Sequence, residues 1–110
     1  MNQQYITESL DTLMKIQVGQ KLSVSSGKFQ IVNKPIGIVR WFSGDSKNTT
    51  VTYIKQVIDN AILKNIPFDG QMMLNAIENL KMTYHKNLSI IGDLTKIQLD
   101  IKNELHHRSM

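Results

Sequence analysis

The chain has 110 residues, 41% of them hydrophobic and 20% charged, the make-up of one folded domain rather than of a disordered segment. It has no cysteine, which excludes disulfides, thiolate metal sites and a cysteine nucleophile. The net charge of +4 admits an acidic partner or weak nucleic-acid contact but serves solubility first, and no run approaches the roughly 18 apolar residues of a membrane helix.

Met1-Asn2-Gln3-Gln4 has neither a basic region nor an apolar core, so no cleavable secretory signal is expected and the cytoplasm is the default location. Ile6, Leu10, Leu13 and Met14 then line one face of a first helix over residues 3–17. Glu8, Asp11 and Lys15 suit its dipole, and Gly19 is expected to end it. Leu22 and Val24, then Phe29 and Ile31, alternate with polar residues on either side of Ser26-Gly27. That pattern predicts a hairpin over residues 21–32, with Gly27 free to take a positive φ. A lone hairpin is marginal in water, so it must lean on helices or offer its edge to a partner strand.

Pro35 suits the first turn of a short helix over residues 36–42. Ser43-Gly44 would close it, and Asp45 or Ser46 would cap the next. Val51, Ile54, Ile58, Ala61 and Ile62 mark a helix over residues 47–64, which Pro67 terminates. Asp69 is a good cap for a long helix beyond it, with Phe68 stapled to Met73.

From residue 69 to residue 105 there is no proline. Met73, Ile77, Leu80, Tyr84, Asn87, Ile91, Leu94, Gln98, Ile101 and Leu105 recur at alternating steps of four and three. That is a heptad repeat, two of its places polar, and it predicts a seam for self-association. The phase is unbroken, which favours one continuous helix of about 50 Å. Two copies would then pair along the seam as a homodimer, with Asn87 facing Asn87. The alternative is a turn between Asn87 and Asp93, with Gly92 and Asp93 as stop and cap. The tail from residue 104 is polar and is expected to fray.

No catalytic, cofactor or metal residue is assigned. Gly44-Asp45-Ser46 is explained by capping, and a serine nucleophile would need a base and an oxyanion hole around it. His106 and His107 are adjacent, so on a helix they diverge by about 100° and do not form a metal pair. His85 reads as a surface or half-buried helix residue. Arg40, Trp41 and Phe42 hold the only tryptophan beside an arginine, the residue types of binding hot spots. They form either a partner-binding patch or a plug between hairpin and helices. Met72, Met73 and Met82 could line an adaptable surface or fill core gaps. Lys34, Arg40, Lys47, Lys55 and Lys64 could form a basic strip, though aromatics are only 6% of the chain.

Val18-Gly19-Gln20-Lys21-Leu22, Gly27-Lys28-Phe29 and Arg40-Trp41-Phe42-Ser43-Gly44-Asp45-Ser46 resemble segments of effector proteins secreted by Legionella and related intracellular bacteria. The resemblance spans residues 18–62. It implies a protein delivered into a host cell without a cleavable signal, acting by binding and regulating another effector or enzyme. The expected molecule is mainly α, a helical bundle with one short β-hairpin and a long C-terminal helix carrying the heptad pattern. The expected role is a non-enzymatic protein-binding regulator, adaptor or inhibitor. The alternative is a small basic dimeric nucleic-acid-binding protein, which steep salt dependence would distinguish.

Overall fold

The computed structural model describes residues 2–25, 28–33 and 47–108. Outside them lie the Ser26-Gly27 turn, the short helix expected at residues 36–42, the stop and cap expected at residues 43–46, and the Arg40, Trp41 and Phe42 cluster. In chain order the described elements are α1 (Gln3–Met14), β1 (Gln20–Ser25), β2 (Lys28–Asn33), α2 (Lys47–Leu63), α3 (Gly70–Thr83) and α4 (Leu88–Arg108). The protein is mainly helical, with one antiparallel hairpin among the described residues. Helices α2 and α3 each pack against both α1 and α4.

Helix α1 begins where the Asn2 side chain accepts the Tyr5 N–H at 2.8 Å. Ile6, Leu10 and Leu13 are buried, as their spacing predicts. The helix stops at Met14 rather than residue 17. The N–H groups of Lys15 and Ile16 bond one residue tighter, to the carbonyls of Thr12 and Leu13, both at 3.2 Å. Ile16 leaves the helix and is buried. Gly19 does not end the helix: it takes a φ of +89° in the later turn into β1.

In the hairpin Leu22 pairs with Ile31 and Val24 with Phe29. Leu22 and Phe29 are buried and Ile31 is half-buried, so the apolar face leans on the helices. Strand β2 meets α1, while β1 meets α2 and α3. The Phe29 ring stands edge-on to Tyr53 of α2, with centroids 4.9 Å apart. Tyr53 in turn meets Tyr5 of α1 edge-on at 6.4 Å and donates its hydroxyl hydrogen to the Tyr5 hydroxyl. Ser9, buried in α1, also hydrogen-bonds the Tyr53 hydroxyl. One aromatic side chain thus ties together two helices and the hairpin.

Helix α2 buries Ile54, Val57, Ile58 and Ala61, and half-buries Val51 and Ile62. Asn65, rather than proline, turns the chain out of the helix, with a φ of +56°. The Asn65 N–H reaches the Ile62 carbonyl at 3.1 Å, and the Ile66 N–H reaches the Ala61 carbonyl at 2.8 Å. This pair of bonds is a Schellman cap, and Pro67 just beyond it blocks any return to helix.

Asp69 caps α3 as expected, accepting the Met72 N–H at 3.0 Å. The expected single helix over residues 69–105 is corrected: the chain leaves the helix at Tyr84 and restarts at Leu88. Tyr84 has φ −97° and ψ 29°. The Asn87 side chain accepts the Ile90 N–H at 3.1 Å and caps α4. The break therefore comes about a turn before Gly92, which lies inside α4 with open space around it. Folding back covers the seam within one chain. The two helices run antiparallel: Gly70 faces Leu105, and Glu78 meets Gln98.

The end of α4 is not frayed through Arg108. The Arg108 guanidinium bonds Glu104 at 2.6 Å and the Ile66 carbonyl at 3.1 Å, and lies 5.1 Å from the centre of the Phe68 ring. Both partners of the ion pair are mostly covered, so this clamp is screened less than an exposed pair.

Two predictions test these joints. Asn65→Ala forces an alanine into the left-handed region and should lower stability by about 1 kcal/mol, whereas Asn65→Gly should not; urea unfolding would separate the two. Burial first, then the hydrogen bond and charge of Tyr5, hold the Tyr53 hydroxyl above the usual phenol range. A folded-state value raised above the unfolded 10.0 favours the neutral form in the fold. Its contribution is whole below pH 10.0 and falls away as pH climbs from there toward the folded value. Tyr53→Phe should therefore flatten the alkaline decline in urea midpoint relative to wild type.

Candidate partner-binding end

The expected self-association residues converge, but inside one chain. Met73, Ile77, Leu80 and Tyr84 are buried on the α3 side, and Leu94 and Ile101 on the α4 side. Leu105 is half-buried over Gly70, where an added Cβ would stand 2.3 Å from its methyl carbons. Ile91 is half-buried only; Ile90 and Ile97 are buried instead, turning the covered face of α4 slightly off the heptad line. Gln98 donates to Glu78 at 3.1 Å and to the Leu74 carbonyl at 3.4 Å, and accepts from Lys81 at 3.0 Å. Asn87 is occupied as a cap. Reading these ten positions as a seam left open for a second copy is therefore corrected: the chain's own helices cover it.

With the seam closed, the exposed apolar side chains define what is left. Leu63, Met72 and Leu99 are exposed at other places; of the remainder, Val18 is 54% exposed, Met82 54% and Leu88 80%. They come from three different segments: the connection from α1 to β1, the last turn of α3, and the first turn of α4. Two side-chain bonds fasten the first of these segments to α3. The Gly19 N–H donates to the Thr83 hydroxyl at 2.8 Å, and Thr83 donates onward to the Asn79 carbonyl at 3.1 Å. Asn79 donates its side-chain amide to the Ile16 carbonyl at 3.0 Å. Val18 precedes Gly19 and Met82 precedes Thr83, so the two residues flank this bonded pair.

Cations accompany the apolar groups. Lys15 and Lys86 are exposed at this end, and His85 is exposed with its Nδ1 3.2 Å from the Met82 carbonyl. Elsewhere Lys55 lies between Asp59 at 3.1 Å and Asp100 at 3.7 Å, and these carboxylates, Asp59 foremost, raise its pKa. The expected basic strip is thus partly neutralised at its middle. Lys34, Arg40 and the Lys47 side chain lie outside the described residues, as does the expected contact patch of Arg40, Trp41 and Phe42.

The methionines divide: Met73 is core, while Met72 and Met82 are about half exposed. Sequence pattern does not single out Val18 or Leu88. Leu88 lies outside the heptad series, but so do Ile90 and Ile97, which are buried. Among the described residues no three His, Asp or Glu side chains stand together as a metal site, and no helix is long and apolar enough to cross a membrane.

Comparison with protein-family models, with curated proteins and with solved structures yields no match to the chain.

Thr83→Val removes the acceptor of the half-buried Gly19 N–H while keeping the side chain's shape. It should cost about 1–2 kcal/mol of unfolding free energy in urea and speed hydrogen exchange at Gly19 selectively.

Proposed function

We infer that the chain is a protein-binding regulator or adaptor without catalysis of its own, and that it docks through the end formed by Val18, Met82 and Leu88. One observation carries the reading. Val18 and Met82, each at least half exposed, flank a hydrogen-bonded pair from two separate segments, and Leu88 stands exposed at the start of the next helix. Exposed apolar residues scattered singly need no explanation, but a gathered set beside cations has the composition of a docking surface. Methionine adds adaptability to such a surface. The complementary partner is a protein presenting an apolar patch rimmed by carboxylates. The resemblance of residues 18–62 to small secreted effectors supports regulation of another effector or an enzyme as the biological setting.

The test compares wild type with a Val18→Asp, Met82→Asp double variant as bait in the native cell extract. Both substitutions fall on exposed positions, so folded stability should change by no more than about 0.5 kcal/mol each. Wild type should retain a single protein at fixed stoichiometry, and the variant should lose it at least tenfold. Equal retention by both baits would contradict the reading. So would retained nucleic acid whose binding falls steeply with salt, the mark of counterion release.

A further inference from the structure

The turn between α3 and α4 contains nothing that forbids a helix. Tyr84, His85, Lys86 and Asn87 include no glycine or proline. No described residue in it has a positive φ; Asn65 and Gly19 are the ones that do. The heptad series passes through the turn in phase, from Leu80 to Tyr84, Asn87, Ile91 and Leu94. Among the bonds that hold the turn two are local, the Asn87 N–H to the Tyr84 carbonyl at 2.8 Å and the Asn87 side chain to the Ile90 N–H at 3.1 Å, while the Tyr84 side chain is buried in the core. A continuous helix would replace these with ordinary backbone bonds and satisfy the free groups at two helix ends.

The contacts of α4 place no demand on which chain supplies it. Ile90, Leu94, Ile97 and Ile101 are buried in the core, where α4 packs against α2 and α3. A second copy's α4 entering the same place would rebuild every one of these contacts. Backbone bonds gained by straightening the turn offset part of the cost of pairing, and high protein concentration supplies the rest. A short link between two helices that match in phase is the arrangement in which exchange of an element between copies costs least.

We propose that residues 84–87 are a hinge through which two copies of this chain exchange α4, each forming one helix from residue 70 to residue 108. In the exchanged dimer the eight heptad residues outside the hinge make the same contacts between chains that they make within one. Tyr84 and Asn87 sit where the two long helices cross. The inference goes beyond the docking reading and does not rest on it, since exchange uses the buried face of α4 and docking uses exposed side chains.

The experiment uses the full chain, refolded from denaturant at high and at low concentration, with mass measured by light scattering. High concentration should yield a species of twice 12.6 kDa that persists on dilution, and low concentration the monomer. Spin labels then read the hinge. Asn75 and Lys102 are exposed and lie on facing stretches of α3 and α4, and the absence of native cysteine lets both be labelled through Asn75→Cys and Lys102→Cys. With labelled chains diluted in excess unlabelled chain, only the distance within one chain is seen. It should be short in the monomer and about 40 Å in the dimer, the span of a continuous helix.

Leu88→Pro separates the two states. Leu88 is the first residue of α4, where proline is well accommodated, but in a continuous helix its ring would meet the Tyr84 carbonyl. This variant should stay monomeric after refolding at high concentration, while Asn87→Ala, which removes the cap, should raise the dimer fraction severalfold. The proposal is overturned if only monomer forms under every condition, or if the dimer keeps the short label distance. It is also overturned if a folded Leu88→Pro dimerises as wild type does. Should Leu88→Pro not fold, the label distance in the otherwise unchanged chain decides alone.

Discussion

The amide side chain of Asn87 directs the fold. It takes the free Ile90 N–H and so lets α4 begin at Leu88, after a turn, instead of running on from α3. A cap of this kind contributes about 1 kcal/mol. Full burial of each of Ile90, Leu94, Ile97 and Ile101 contributes roughly 1.5–3 kcal/mol. The cap therefore chooses the direction of the chain, and apolar burial holds the choice. Without the turn, the covered faces of α3 and α4 in a lone chain would stand in water.

The two ends of the helix pair are finished differently. At one end Gly70 admits Leu105, and Arg108 binds Glu104, the Ile66 carbonyl and the Phe68 ring. That end is closed by contacts that cross from α4 to the link between α2 and α3. At the other end Thr83 and Asn79 fasten the α1 to β1 connection to α3, but their bonds satisfy backbone groups and leave Val18, Met82 and Leu88 in solvent. Leu63 and Met72, at the end of α2 and the start of α3, are exposed at the first end too, so the two ends differ in the contacts that join their segments. The functional reading draws on the end with Val18, Met82 and Leu88.

Much of the fold is legible as pattern. The stripes of α1 and α2, the alternation of the hairpin and the Asp69 cap follow from periodicity and local hydrogen-bonding chemistry. The turn at 84–87 is not, because the heptad phase there is unbroken and a seam serves equally well within a chain or between two. By pattern Asn87 is a polar seam residue, whereas its side chain is spent on a cap. Asn65 escapes the pattern for a similar reason: Pro67 explains why a helix cannot continue, but the left-handed residue before it is what closes the helix. The exposed end is only partly legible. Met82 stands out by type, while Val18 and Leu88 become meaningful only once the fold shows which apolar residues stay uncovered. The Arg40, Trp41 and Phe42 cluster lies outside the described residues.

The central claim is that α3 and α4 lie antiparallel within one chain. It is tested most directly by NMR on dilute monomer, through the nuclear Overhauser effect between the Gly70 α-protons and the Leu105 methyl groups. The account predicts a strong cross-peak, together with a break in sequential amide contacts between Tyr84 and Leu88. Loss of the cross-peak with unbroken helical amide contacts from residue 70 to residue 108 would contradict it.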